Sequence, residues 1–198
     1  MTTAATATTS DADTTAPSNS VPAPTVQTTV SPDSGPLTTV SPESIPVLGD
    51  VPELRGIDEW MNSDIESLEE ILANNDVTIA QFWTFGCRNC KATLDNMRGI
   101  YSDFGGEGLE IVGVHSPEFS FEADPDNIAQ ALIDLDISWP VALDTEKENF
   151  HRWQPGNTGF WPRTYVIDGE GNVRFDHVGE GKYDELRVVV TQLLAEAA

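Results

Sequence analysis

The chain has 198 residues, and 33 acidic side chains against 10 basic ones give it a formal net charge of −23 at pH 7. A charge of this sign and size argues against binding to nucleic acid or to anionic membrane surfaces. No apolar run reaches the roughly 20 residues that a membrane-spanning helix needs, and the first residues show neither the basic nor the apolar region of a signal peptide.

Residues 1–50 differ in composition from the rest of the chain. They contain 12 Thr, 7 Ser and 7 Pro, with no Lys, Arg, Cys or aromatic residue, and the sequence TTVSPDS at 28–34 recurs as TTVSPES at 38–44. Such a composition buries too little apolar surface to offset the entropy lost on ordering. We therefore predict a disordered Thr/Ser/Pro-rich linker over 1–50 and one folded domain over 51–198.

A Thr/Ser/Pro stalk before a folded domain is more typical of proteins outside the cytoplasm. We therefore expect an extracytoplasmic location, in the periplasm or cell envelope. A membrane anchor or export signal is then expected upstream of Met1.

Within the domain, Ser63 and Glu66 form an S-x-x-E pattern that predicts a capped helix start. The residues 77–85 that follow are apolar and β-rich, which is typical of a buried strand. Residues 91–101 then show helical spacing. The only two cysteines, Cys87 and Cys90, lie between these two segments.

A C-x-x-C pair that follows a buried strand and opens a helix indicates redox chemistry. Free N–H groups and the positive end of the helix dipole stabilise an anion at a helix start. Arg88 and Lys91 add positive charge, so these features favour the thiolate of Cys87. Cys90 lies one helical turn further on and can close the disulfide.

Three other interpretations of the cysteine pair remain open. A zinc site would need a second pair of ligands, and His115, His151 and His177 are scattered along the chain. A purely structural disulfide would close a very small loop, which gives little stabilisation. Two buried, inert cysteines are also compatible with the pattern.

The remaining elements follow in order. A strand over 109–114 completes a βαβ unit, so it should run parallel to 77–85. A polar loop over 116–125 precedes a helix that Asp126 is expected to cap. A short strand over 139–144 and a short helical segment over 146–153 come next. Two β runs within 161–175 flank a D-G-E-G turn that predicts a hairpin, and 183–195 has the pattern of an amphipathic helix.

This order of elements resembles the thioredoxin superfamily, and is most similar to the extracytoplasmic thiol–disulfide oxidoreductases of the TlpA/DipZ branch. The resemblance covers 51–198. The motifs that carry it are WMNS at 60–63, FWTFGCRNC at 82–90, GVHSPEF at 113–119, WPVALD at 139–144, WPRTYVIDGEGNV at 161–173 and GEGKY at 179–183.

The resemblance implies an α/β, thioredoxin-like fold with a four- to five-stranded mixed sheet between helices. It also implies that Cys87 is the attacking thiol and Cys90 the resolving thiol. Pro162 would be a cis proline, and the loop that contains it and Trp161 would face the disulfide and bind the substrate backbone. Thioredoxins carry a buried Asp six residues before the first cysteine, where this chain has Gln81, and usually a Pro where it has Asp95.

Because Gln81 does not titrate, another group or water must accept the proton of Cys90, and His115 and Glu118 are the candidates. We expect a thiol–disulfide oxidoreductase that acts on protein disulfides or dithiols, as a monomer without metal or cofactor, in a reductant role supplied by a membrane electron carrier. The alternative is a non-catalytic binding module or a copper(I) chaperone, since copper(I) prefers soft thiolates.

Overall fold

The computed structural model describes residues 44–156 and 159–198. This part of the chain contains seven strands and five helices, with a short 3-10 turn at Ser120–Ala123. The elements are β1 Gly49–Asp50, β2 Trp60–Met61, α1 Leu68–Asn74, β3 Val77–Trp83, α2 Arg88–Phe104, β4 Leu109–His115, α3 Pro125–Asp134, β5 Val141–Leu143, α4 Glu148–Trp153, β6 Arg163–Asp168, β7 Asn172–Val178 and α5 Tyr183–Ala197.

All seven strands form one mixed sheet in the order β1-β7-β6-β3-β4-β5-β2. The central strand β3 runs parallel to β4, with Trp83 opposite His115, and antiparallel to β6, with Gln81 opposite Thr164. This pairing confirms the predicted βαβ unit and the predicted hairpin of β6 and β7. The sheet therefore brings the end of β3, where the cysteines follow, beside the start of β6 and the loop before it.

Helices cover both faces of this sheet. Apolar residues of α2, α3 and α5 pack on one face, together with Cys90, and residues of α1 and α4 pack on the other. Every residue of β3 is buried, as expected of a strand with helices on both sides. The thioredoxin-like α/β architecture expected from the sequence is confirmed.

The sheet has seven strands, where four or five were expected. The additional strands, β1 and β2, contain two residues each and lie at the two edges. Segments this short carry no periodic pattern, so the sequence could not reveal them.

Two helix starts also differ from the prediction. Ser67 rather than Ser63 caps α1, because its hydroxyl accepts the N–H of Glu70, whereas the hydroxyl of Ser63 accepts the N–H of Ile65 in a local turn. At α3, Asp124 is the cap in place of Asp126, and Pro125 occupies the first helical position, where its missing N–H has no consequence.

The expected disordered linker over 1–50 needs a correction at its end. Residues 1–43 lie outside the described part of the chain, but Gly49 and Asp50 pair with β7. Ile45 packs against the core, and its carbonyl accepts a hydrogen bond from Arg174. The folded domain therefore begins before residue 50. Within the described residues, no helix is long and apolar enough to cross a membrane.

Candidate functional site

The two cysteines lie at the turn between β3 and α2, as the sequence predicted. A disulfide joins them, and their Cα atoms are 5.2 Å apart. Cys87 is the N-cap of α2, and its Sγ accepts the N–H of Cys90 at 3.1 Å. Cys87 is partly exposed, while Cys90 is completely buried. Of the two cysteines, only Cys87 is therefore accessible from solvent.

The local backbone explains why Cys87 stands at the helix start. Its N–H donates to the carbonyl of Thr84, which closes the turn after β3, and its own carbonyl accepts the N–H of Lys91, the first bond of the helix. The sulfur thus faces an N–H group at the positive end of the helix dipole, which stabilises a thiolate. Arg88 and Lys91 are both exposed on the first turn, and neither forms an ion pair with any described residue.

Trp161 lines the same groove as Cys87, and Pro162 follows it directly in the chain. The Trp161–Pro162 peptide bond is cis, as the resemblance implied. The Trp161 ring is held by its Nε1, which donates to the carbonyl of Ser116 at 2.9 Å, and by stacking on Phe150 with ring centroids 4.2 Å apart. This shallow groove has a volume of about 380 Å³ and is lined by Gly86, Cys87, Arg88, Asn89, Glu118, Gly159, Phe160 and Trp161.

Gln81 is buried behind the cysteine helix. Its Nε2 donates to the hydroxyl oxygens of Thr93, at 3.3 Å, and Thr164, at 3.1 Å. The Thr93 hydroxyl in turn donates to the carbonyl of Cys90 at 2.7 Å. A neutral amide therefore occupies the position expected for the family's buried acid, and a single threonine connects it to the backbone of Cys90.

The two suggested substitutes for that acid have different environments. His115 is buried, its Nε2 lies 3.3 Å from the Thr84 hydroxyl and 3.4 Å from the N–H of Phe85, and its Nδ1 has no partner within the described residues. Burial lowers its pKa to about 4, although the nearby charge of Glu122 acts in the opposite direction. Glu118 is exposed and lines the groove. Neither side chain forms a hydrogen bond with a cysteine in the part of the chain that the structure covers.

One residue of the site, Glu122, lies in the segment 116–125, which the sequence predicted to be a polar loop. Glu122 is completely buried, and its carboxylate accepts the N–H of Gly86, next to Cys87, at 2.8 Å. Its only signal in the sequence is a single acid after the aromatic run Phe119-Ser120-Phe121. Across residues 44–156 and 159–198, no cluster of three or more His, Cys, Asp or Glu side chains could hold a metal ion.

Comparisons with known proteins agree with this geometry. The profile of the AhpC/TSA family matches residues 59–176. The protein DipZ of Mycobacterium bovis is 36% identical over 155 residues, which are 75% of this chain and 21% of that protein. The thiol-disulfide oxidoreductase YkuV of Bacillus subtilis is 28% identical over 149 residues, covering 74% of this chain and 95% of YkuV. The chain thus spans about a fifth of the length of the DipZ protein that it matches.

A solved structure supports the same relationship. The solution structure of a thioredoxin-like protein in the oxidised form aligns with a TM-score of 0.64 and 26% identity, over 75% of this chain and 96% of that one. The fold on which Cys87 and Cys90 lie is therefore shared with a thioredoxin-like protein of nearly the same extent as the domain.

Proposed function

The chain belongs to the AhpC/TSA family, and from this premise we propose that it is a thiol–disulfide oxidoreductase that acts on protein disulfides through Cys87 and Cys90. The observation that supports this most directly is the unequal exposure of the two bonded cysteines at the start of α2. A structural disulfide gains nothing from having one sulfur open to solvent at a helix N-terminus. An exchange enzyme needs that arrangement.

In the proposed reaction, the Cys87 thiolate attacks one sulfur of a partner disulfide. A mixed disulfide forms, and the partner's other sulfur leaves as a thiolate and takes up a proton. Cys90 then loses its proton and attacks the Cys87 sulfur, which releases the second partner thiol. The partner disulfide is reduced by two electrons, and Cys87 and Cys90 end as the disulfide described above.

The groove beside Cys87 is the proposed binding site for the partner chain. The ring of Trp161, which is held by its hydrogen bond to Ser116, lines this groove together with the exposed residues Arg88 and Asn89. Such a shallow site suits an extended segment of protein on either side of a disulfide better than a small molecule, which usually binds in a deeper pocket.

The proposal is tested by disulfide reduction with insulin as the substrate and dithiothreitol as the electron source. The wild type should accelerate reduction, and Cys87→Ser should abolish the acceleration. Cys90→Ser should accumulate a mixed disulfide that a non-reducing gel detects. Absence of turnover together with tight, one-to-one copper(I) binding under anaerobic conditions would favour a binding module instead.

We also propose that the physiological role is that of a reductant outside the cytoplasm, recharged by a membrane electron carrier. The chain's resemblance to the TlpA/DipZ branch and its Thr/Ser/Pro-rich first segment motivate this proposal. The reduction potential of the Cys87–Cys90 couple decides its direction: a value near that of thioredoxin, about −270 mV, supports a reductant, and one near about −120 mV indicates an oxidant. Fractionation of the native cells would test the location.

A further inference from the structure

Glu122 is a buried carboxylate in direct contact with the active-site turn. It is 0% exposed, and it lies in the 3-10 turn Ser120–Ala123 after β4. Its Oε1 accepts the N–H of Gly86 at 2.8 Å, and its Oε2 accepts the N–H groups of Glu118, at 2.7 Å, and Phe119, at 2.8 Å. One side chain therefore joins the residue before Cys87 to a loop more than thirty positions further along the chain.

The carboxylate has no positive partner among the described residues. No Lys, Arg or His in the described residues forms an ion pair with it, so three backbone N–H groups are all that compensates its burial. A charge buried in this way costs free energy. If Glu122 served only to hold the loop in place, a neutral side chain could do so without this cost.

The hydrogen bond between Gly86 and Glu122 requires a glycine at position 86. A Cβ atom at position 86 would overlap Oε1 of Glu122, so only a glycine lets the carboxylate approach the peptide so closely. The side chain of Phe121 lies over the same point and contacts the ring of Phe85, with centroids 5.8 Å apart. The Glu122 carboxylate itself is 0% exposed, so its charge is screened less than a charge in solvent.

We propose that Glu122 is a positioning and tuning residue of the redox couple. It holds the Gly86 peptide in place before Cys87, and its negative charge opposes the stabilisation of the Cys87 thiolate by the helix start. This inference rests on the proposed exchange function and adds the direction of the tuning. A less stable thiolate makes the dithiol a stronger reductant.

Other charged or titratable groups also lie near the turn. Arg88 and Lys91 are exposed on the first turn of α2, Glu118 lines the groove, and His115 lies behind Phe85 with a stacked ring. Arg88 and Lys91 act in the opposite direction to Glu122, but from solvent, where screening weakens them. Glu122 is the completely buried charge in contact with the backbone of the turn, so its removal should have the larger effect.

The test is the variant Glu122→Gln. The carboxylate accepts hydrogen bonds at both oxygens, whereas an amide can accept at only one. The substitution therefore removes the charge together with the hydrogen bonds to one of the two oxygens. Two quantities are measured: the equilibrium between dithiol and disulfide in glutathione buffers, and the pH midpoint for alkylation of Cys87. We expect the equilibrium to move toward the dithiol by about tenfold, and the alkylation midpoint to fall by about one pH unit.

Asp126→Asn is the matched control, because it removes the same charge at an exposed position of α3, four residues along the chain. It should leave both quantities within about twofold of the wild type, as expected of a solvent-screened charge. Glu122→Asp retains the charge, so it should stay closer to the wild type than Glu122→Gln in both measurements, even if its shorter side chain lowers the melting temperature.

A purely structural role for Glu122 gives a different result. Glu122→Gln would then melt at a lower temperature with an unchanged glutathione equilibrium and alkylation midpoint, and the proposal would be overturned. If Glu122→Gln fails to fold, Gly86→Ala provides the second test, since its Cβ displaces the carboxylate and should shift the equilibrium in the same direction. Both measurements use only glutathione and an alkylating reagent, so failure of the wild type to reduce insulin would refute the exchange function separately.

Discussion

The amide of Gln81 donates a hydrogen bond to the hydroxyl oxygen of Thr93, 3.3 Å away, and the Thr93 hydroxyl donates its own proton to the carbonyl of Cys90. Thr93 can therefore only accept from residue 81. The site is built for a donor at this position, which a neutral amide provides and an ionised carboxylate does not.

We predict that Gln81→Glu places a carboxyl group with a raised pKa behind Cys90, since both burial and the acceptor oxygen of Thr93 disfavour its charged form. The protonated form is preferred in the folded state, so the cost to stability grows as pH rises through the ordinary glutamate pKa toward the raised one. Urea unfolding should show a variant that is close to the wild type at pH 4.5 and about 3 kcal/mol less stable at pH 8.

The same variant should change the kinetics. A titrating group that Thr93 connects to Cys90 should accelerate resolution of the mixed disulfide and add a step to the pH–rate profile, as followed by stopped-flow tryptophan fluorescence. Gln81→Met is the control, because it removes the hydrogen bonds without adding a titration. Superimposable profiles for wild type and Gln81→Glu would show that position 81 is outside the proton path.

The unequal exposure of the cysteines leads to a second prediction. After reduction, iodoacetamide at pH 6 should label Cys87 at least about tenfold faster than Cys90, because Cys87 is partly exposed at the helix start and Cys90 is completely buried. Peptide mass spectrometry measures both rates in one sample. Arg88→Gln should slow the labelling of Cys87, whereas equal labelling of the two cysteines would contradict the proposed roles.

Local sequence patterns were sufficient for most of the fold and for the redox pair. The strand before Cys87, the helix after it and the hairpin of β6 and β7 each depend on residues that are close in sequence. Their patterns can therefore be recognised without a structure. The cis peptide bond before Pro162 was predicted from the resemblance to a known family. The capped start of α1 was ambiguous because Ser63 and Ser67 both begin an S-x-x-E pattern, and only the packing of Leu68 and Ile71 decides between them.

Glu122 could not be predicted for a different reason. Its partners are three backbone N–H groups, and a backbone N–H has no signature in a sequence. The contact also joins positions that only the parallel pairing of β3 and β4 brings together. A sequence shows which side chains are charged, but the position of the loop decides which of them is buried.

The buried state of His115 predicts how stability depends on pH. Burial lowers its pKa to about 4 in the folded protein, against about 6.5 in the unfolded chain. The unfolded state therefore binds more protons at this position between these values, so His115 lowers stability as pH drops from 6.5 toward 4 and has no such effect above pH 6.5. The full difference corresponds to about 3 kcal/mol.

His115→Gln removes this titration, so its stability should decline less than that of the wild type between pH 6.5 and 4, by about 3 kcal/mol. Urea unfolding at pH 7, 5.5 and 4 measures the difference. His151→Gln, which replaces an exposed histidine of α4, should follow the wild type. Parallel curves for the wild type and His115→Gln would mean that His115 is not held neutral in the folded protein.

The last prediction concerns the beginning of the folded domain. The N–H of Leu48 donates to the carbonyl of Val173 at 2.8 Å, and the N–H of Val51 donates to the carbonyl of Gly171 at 2.9 Å. Arg174 adds a hydrogen bond to the carbonyl of Ile45 at 2.6 Å. Removal of residues 1–50 would leave the carbonyl of Val173 and the Nη2 group of Arg174 without these partners, and polar groups that lose their partners destabilise a fold.

We therefore expect a truncation of 1–50 to lower the melting temperature by about 4–8 °C, which corresponds to about 2 kcal/mol in a domain of this size. A truncation of 1–43 retains Ile45 and β1, and should change the melting temperature by less than about 2 °C, because the segment that it removes has a composition that supplies few core residues. Circular dichroism melts of the two truncations beside the full chain make the comparison. Equal melting temperatures for both truncations would show that pairing with β7 adds nothing to stability. A large loss already in the shorter truncation would show that the Thr/Ser/Pro-rich segment packs on the domain, against what its composition predicts.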